Sequence, residues 1–157
     1  DLSAHKNHIN LILAFIKLKS KVQSARLYLT LTDKDFKKLL NNEKFVNSEL
    51  AGIINLGNLD YISVLKMYKK SILIFPSFDE TFGLPLIEAS SLGTPIIASN
   101  RSFVKEICKN TYLFNPISIN SIYSNMIKCF KNPLHSVCVF EKKNIFDGNS
   151  FINHLVT

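Results

Sequence analysis

Apolar positions recur along this chain in two rhythms, a helical spacing and short continuous runs, and the two alternate from the amino end onward. Between Asn7 and Lys19, residues Ile9, Ile12, Leu13, Phe15 and Ile16 fall towards one helical face. The run from Arg26 to Thr32 reads as a strand, after which Asp33 is placed to cap a helix carrying Phe36, Leu39 and Leu40. Gly52 to Leu56 is a short strand closed by Gly57, and Asp60 caps a helix to Tyr68 that turns Ile62, Leu65 and Tyr68 inward. Ser71 to Phe75 is a continuous apolar run ended by Pro76, the pattern of a parallel strand buried on both faces. A polar loop to Phe82 leads into a helix from about Leu84 to Leu92, then a strand over Pro95–Ala98. A short helical turn near Val104, a strand at Tyr112–Phe114 and a helix over Ile119–Phe130 follow. Beyond Pro133 the pattern predicts a helix to about Ile145, a break at Gly148 and a last short helix.

Strands alternating with helices at this spacing predict an α/β fold with a doubly wound parallel sheet. The chain has 157 residues, of which 46% are hydrophobic, enough for the core of one domain, and no linker or internal repeat divides it. That composition excludes disorder and a disulfide-stapled miniprotein. No apolar run approaches the ~18 residues that would span a bilayer. Cys108, Cys129 and Cys138 lack a CxxC spacing and read as buried thiols in a reducing compartment. His5 and His8 have no second ligand pair at zinc spacing, so no protein metal site is expected, and His135 and His154 read as surface or structural residues.

Charge changes the picture only modestly. The 19 basic residues outnumber the 12 acidic by seven, and only Arg26 and Arg101 among them are arginines. The lysines scatter over the polar sides of predicted helices, as solvated faces do. Without clustered arginine and interleaved aromatics, nucleic acid is not an expected partner, whereas a weak attraction to anionic membrane is compatible with the charge.

In open parallel sheets, ligands bind beyond the carboxyl ends of the strands, against helix N-termini. The glycines are Gly52, Gly57, Gly83, Gly93 and Gly148, which form neither GxGxxG nor a Walker A loop, disfavouring a nicotinamide dehydrogenase or a P-loop NTPase. The informative stretch is instead Pro76–Asn100, PSFDETFGLPLIEASSLGTPIIASN. After the strand ending at Phe75, its loop delivers Asp79, Glu80 and Thr81, then Phe82-Gly83 and a helix with Pro85 in its first turn, where the missing N–H costs nothing. Gly83 without a side chain would let a ligand approach the backbone. The free amides at Gly83 and Leu84, with the helix dipole, suit a phosphate or an electron-rich sugar oxygen. Glu88 lies ~6 Å along the helix axis from Leu84. Glu80 and Glu88 can therefore flank an elongated ligand, and ionised carboxylates accept from the vicinal diols that a nucleotide sugar carries on ribose and hexose. Two glutamates at this spacing are by themselves a weak signal, more often a solvated helix face. Lys6 alone likewise reads as a solvent-facing residue.

The whole string is more specific. Glu80 to Glu88 with its flanks resembles the donor-binding signature, E-x7-E, of retaining GT-B glycosyltransferases of family 4. INLGNLDYISVLKMYKKSILIFPS looks like the strand, helix and strand that precede it in the family, and Gly93–Ile107 looks like the turn, strand and short helix that follow. The likeness runs from about His5 to Pro133 and implies a Rossmann-like fold forming the C-terminal, donor-binding half of a GT-B architecture. The expectation is thus one nucleotide-sugar-binding domain over 1–157, with an acceptor-binding N-terminal domain outside the chain. The resemblance implies that Glu80 contacts the donor sugar near the developing oxocarbenium ion, as the catalytic residue. Glu88 would bind the ribose, and Thr81 with the backbone of Phe82, Gly83 and Leu84 would hold sugar and phosphate oxygens. Lys6, in HKNH, matches the lysine that neutralises the diphosphate, and Gly57 and Asn58 close the strand that faces the base, although an ordinary turn is an equal reading of those two.

Neither cofactor nor metal is expected by this resemblance, in keeping with the lack of a DxD motif. One departure stands out: Asp1 takes the place where the family has an arginine, five residues before its lysine. The expected activity is transfer of a hexose, with retention, from a nucleoside-diphosphate sugar to a glycan or lipid-linked acceptor that is reached through the other domain. The Ile-, Asn- and Lys-rich composition associates the chain with AT-rich bacterial genomes and hence with capsule or lipopolysaccharide. Its expected place is the cytoplasm, peripheral at the inner face of the membrane. The alternative is a nucleotide-binding or scaffolding module of the same fold without the chemistry.

Overall fold

A computed structural model of the protein describes residues 2–45 and 50–139. A 3-10 turn, Ala4–Lys6, leads into helix α1, His8–Lys19. The chain then alternates through β1 Leu27–Leu29, α2 Asp33–Leu40, β2 Ile53–Asn55, α3 Tyr61–Tyr68, β3 Leu73–Phe75, α4 Leu84–Ser91 and β4 Ile96–Ser99. After α5, Ser102–Ile107, come β5 Cys108–Lys109, β6 Tyr112–Phe114, α6 Ile119–Lys131 and β7 Val137–Cys138. Among the described residues β1 and β2 form one parallel ladder, β3, β4 and β6 form another in that order, and β5 pairs antiparallel with β7.

Helices cover both faces of the β3–β4–β6 sheet. Ile97 and Phe114 point into one core with Leu11, Phe15, Ile122 and Met126, where α1 packs on α6. Ile96 and Ala98 point to the opposite side, into a second core with Leu86, Ala89, Val104 and Ile107 of α4 and α5. The alternation follows from the period of two along a strand. All four residues of β4 are buried, as befits the centre of a sheet covered on both faces. Cys108, Cys129 and Cys138 are free thiols, and burial pushes those of Cys108 and Cys129 up to about 11.

The structure corrects several sequence expectations. The buried stripe of α1 is Leu11, Ile12, Ala14, Phe15 and Leu18, with Ile9, Leu13 and Ile16 on its half-buried flank, because α6 and β1 crowd the helix from one side. Thr32, not Asp33, caps α2: its hydroxyl accepts from the Asp35 amide, which puts Asp33 inside the first turn. Asp60 caps α3 as expected, yet Ile62 is 60% exposed and α3 buries no residue fully. In β3 only Phe75 is fully buried, and Leu73 and Ile74 remain half-covered. Residues 137–138 form a strand in place of the expected helix, because Cys108 and Lys109 supply a ladder partner. Asp1, His154 and the last predicted helix lie outside the described residues.

Candidate functional site

The site begins where β3 ends. Pro76 and Ser77 leave the strand buried, Asp79 turns outward, and the chain reaches the N-terminus of α4 at Gly83. Asp79 accepts from the Glu80 amide and Glu80 accepts, at 3.3 Å, from the Thr81 amide, so the two acids shape their own loop. Gly83 caps the helix at φ 56°, a left-handed conformation open to glycine, and its carbonyl accepts from Leu86 and Ile87. No side chain caps this helix, and Pro85 has no N–H. The amide of Leu84 therefore lacks an intrahelical acceptor, as first-turn amides do. The reason for glycine differs from the expected one: a Cβ there would stand 2.9 Å from Ile107 Cδ1 and 3.3 Å from Leu86 Cδ1, so it would point into the core and not at a ligand. Thr81, Phe82 and Leu84 are exposed around the turn, Phe82 at 73%.

Lys6 reaches this loop from the other end of the chain. Its ammonium donates to Glu80 Oε2 at 2.6 Å, with both side chains largely covered. That bond holds the Glu80 carboxyl below its ordinary range against the opposing effect of burial. Lys6 is thus not the solvent-facing residue that its sequence position alone suggests. Its placement depends on Asn7, a residue that sequence reasoning missed. Asn7 is buried at φ 57°, and its amide donates to the Pro76 carbonyl at 3.1 Å and the Pro116 carbonyl at 2.8 Å. The Phe78 amide donates to the His5 carbonyl at 2.8 Å, completing the fastening of the amino-terminal turn to the loop after β3. An asparagine directly before a helix, a residue type that tolerates left-handed backbone, was the available signal. Next to it burial pushes the His8 imidazole down from its ordinary range, and the Lys6 charge adds to the shift.

Glu88 lies one turn into α4 and is half-buried. Burial pushes its carboxyl above the ordinary range, partly countered by the Tyr68 hydroxyl, which donates at 3.4 Å. Burial and the Glu88 charge in turn push Tyr68 well up, and Tyr61 feels the same charge. Tyr68, placed by sequence only as an inward residue of α3, is thus a second missed member of the site, anchored through its carbonyl by the Thr94 hydroxyl. The structure accordingly brings Lys6, Glu80, Thr81, Gly83 and Leu84 together at one loop, with Glu88 farther along the helix beside Tyr68. Gly57 and Asn58 follow β2 at its carboxyl end, and no hydrogen bond is seen from either to Lys6, Glu80 or Glu88. Gly57 has φ 67° and open space where a Cβ would be, as an ordinary turn does. Among the described residues, no three His, Cys, Asp or Glu gather closely enough to hold a metal ion. None of their helices is long and apolar enough to cross a membrane.

Two differently tuned carboxylates, one lysine and a helix N-terminus thus lie along the loop after β3 and the helix that follows it. Residues 1–145 match the family described as glycosyl transferases group 1. The chain belongs to that family. The C-terminal domain of a group 1 glycosyl transferase family protein (LpcC) from Francisella tularensis is 27% identical, superposes with a TM-score of 0.69, and covers 83% of this chain and 71% of its own. Sucrose-phosphate synthase from Thermosynechococcus elongatus shares the fold at 22% identity and TM-score 0.65, over 84% of this chain and 35% of its own. Together these establish the Rossmann-like α/β fold of the GT-B glycosyltransferases. A 60-residue stretch is 32% identical to O-antigen chain mannosyltransferase B of Escherichia coli, which is 38% of this chain and 16% of that protein. The chain thus spans about a sixth of the length of that curated relative.

Proposed function

We propose that this chain is the donor-binding half of a retaining glycosyltransferase. The observation that carries the reading is the meeting of Lys6 with Glu80 at the unprotected N-terminus of α4, the helix that also bears Glu88. In this reading the Glu88 carboxylate accepts from the ribose hydroxyls, with Tyr68 fixing its orientation. The Leu84 amide, the helix dipole and the Lys6 ammonium meet the diphosphate, so no protein-held metal is required. Thr81 and the backbone of Phe82 and Gly83 line the sugar, and Gly57 and Asn58 border the base. The bond from C1 of the sugar to the diphosphate oxygen breaks while one to an acceptor hydroxyl oxygen forms on the same face, the hydroxyl proton passing to the departing diphosphate, and Glu80 places negative charge beside the cationic centre between them.

A structural neighbour of 16% identity and TM-score 0.65, Anabaena HepE, was solved in complex with UDP and glucose, which supports a nucleotide sugar as the ligand class. The Escherichia coli relative supports a hexosyl donor and surface-polysaccharide synthesis. The acceptor, a glycan or a lipid-linked glycan, is met by a second domain. This chain alone binds nucleotide but transfers sugar poorly, because no second wall excludes water. The excess of lysine supports a peripheral attraction to anionic membrane from the cytoplasmic side.

Calorimetric titration with UDP, GDP and ADP, with and without EDTA, tests the reading. One of the three is expected to bind, with or without chelator. Glu88→Ala should weaken it about 10- to 100-fold, the loss of charge-assisted hydrogen bonds worth ~1.5–3 kcal/mol. Equal affinity in both proteins would remove the ribose role of Glu88.

A further inference from the structure

The last ladder of the chain sets two free cysteines opposite each other. β5 and β7 run antiparallel, with Cys108 facing Cys138 and Lys109 facing Val137. One position further along, the Val139 amide donates to the Ile107 carbonyl at 2.6 Å, which makes 107 and 139 a hydrogen-bonded pair. The two kinds of pair alternate along such a ladder, so Cys108 and Cys138 form a non-hydrogen-bonded one. Their α-carbons are then about 4.5 Å apart, with both side chains on the same face. A disulfide accepts α-carbon separations of roughly 4.4–6.8 Å. The thiols also sense each other: burial is the first cause of the raised Cys108 thiol, and the charge of Cys138 adds to it. Cys129 is buried in the other core, with α1 and α6, and has no part in this pair.

We propose that Cys108 and Cys138 are a reversible redox pair, closed by a small-molecule disulfide of the glutathione type into an intrachain bond that fixes β7 to β5. The two residues differ as such a step requires: Cys138 is half-exposed and meets the oxidant, whereas Cys108 is buried. The Cys138 thiolate attacks one sulfur of the oxidant and releases the first small thiolate. Cys108 then gives up its proton to water, and its sulfur attacks Cys138 Sγ and displaces the second. In all, two protein thiols lose two electrons and two protons, and one small disulfide becomes two small thiols. The reduced Cys108 thiol donates to the Leu86 carbonyl at 3.6 Å, a bond that the oxidised sulfur cannot make. That carbonyl keeps the Ser90 hydroxyl at 2.6 Å, so closure leaves no unsatisfied acceptor there in α4. What closure changes is the segment 135–139, in which His135 and Val137 are exposed. Besides the short ladder to β5, it is held by a bridge to Pro95, by His135 Nδ1 at 2.9 Å from the Gly93 carbonyl and by the Ser136 hydroxyl donating to the Asn110 carbonyl. Segments with so few exposed bonds open locally at little cost. A bond from 108 to 138 closes a loop around β6 and α6 and suppresses that opening.

The test exposes the 157-residue chain, folded and in urea, to oxidised glutathione, and maps linked peptides by mass spectrometry after alkylation of the remaining thiols. The folded chain should lose the mass of two hydrogens and yield the 108–138 linkage alone, reversed by dithiothreitol. In urea the same chain should give all three pairings of its cysteines, which shows that the fold selects the partner. Hydrogen exchange over 135–139 should slow about tenfold or more on oxidation and recover on reduction. Cys138→Ser, at a half-exposed position, should show neither linkage nor protection. A folded chain whose thiols stay unreacted, that stops at a glutathione adduct on Cys138, that links Cys129 or that pairs only between molecules would overturn the proposal. So would a 108–138 bond that leaves exchange over 135–139 unchanged, or equal protection in Cys138→Ser.

Discussion

Lys6 faces two competing anions. In the structure its ammonium is taken by Glu80 at 2.6 Å, whereas in the proposed complex a diphosphate claims it. Partly exposed ion pairs contribute about 0.2–1 kcal/mol. Glu80→Gln should therefore tighten binding of a nucleoside diphosphate without sugar about 1.4- to 5-fold, and Lys6→Ala should weaken it; titration calorimetry reads both. The pair also leaves a pH signature. Lys6 holds the Glu80 carboxyl below its ordinary 4.5, so between the two values the unfolded chain binds more protons than the folded one. The stabilisation is complete above about 4.5 and is lost as pH falls through the folded value. Glu88 has the opposite sign: burial raises its carboxyl above 4.5, so its ionisation costs stability as pH rises through that window. Thermal melting across pH 3–7 should show a shallower acid-side loss for Glu80→Gln than for the parent, and a smaller decline on the rising side for Glu88→Gln.

At the scale of elements, the site depends on how two turns enter their helices. Gly83 and Gly93 both have left-handed backbones, at φ 56° and 68°, but only Gly83 also lacks room for a Cβ. An alanine at Gly93 should cost about 1 kcal/mol, and one at Gly83 about 2 kcal/mol or more, the difference being contact with Ile107 and Leu86. Asn7→Ala removes the donor to the Pro76 and Pro116 carbonyls, an expected loss of ~1–3 kcal/mol. Asn7→Gly, which keeps the φ of 57° accessible, separates that donor loss from backbone strain. Urea denaturation measures all four. Most helices and parallel strands were legible in the sequence, because their apolar periods, Asp60 and the Pro76 and Pro85 breaks are local signals. Thr32 escaped because either it or Asp33 can cap, and the register is settled by where Leu39 must pack. Asn7 and Tyr68 escaped for another reason. Their farthest partners, Pro116 and Thr94, lie 109 and 26 residues away, and only the fold brings those partners to them.

For the whole molecule, the decisive arrangement is the meeting of the amino-terminal turn with the carboxyl end of β3 at one rim. Sequence placed Glu80 and Glu88 on the loop and helix after β3, and the structure adds that the amino-terminal turn is tied to that same loop, making Lys6 part of the site across 74 positions of chain. The doubly wound pattern was readable from alternation alone. The separation of the β1–β2 ladder from the β3–β4–β6 sheet was not, because strand order depends on pairing across the molecule and leaves no periodicity. The central claim, that one nucleotide sugar seats across this rim, is tested most directly by mapping amide chemical shifts during titration with the diphosphate sugar of whichever nucleotide binds in calorimetry. The amides of Thr81, Phe82, Gly83 and Leu84 should move together as one saturable set, with Gly57 and Asn58 following at the same midpoint. Saturable binding that leaves those four amides unmoved would contradict it.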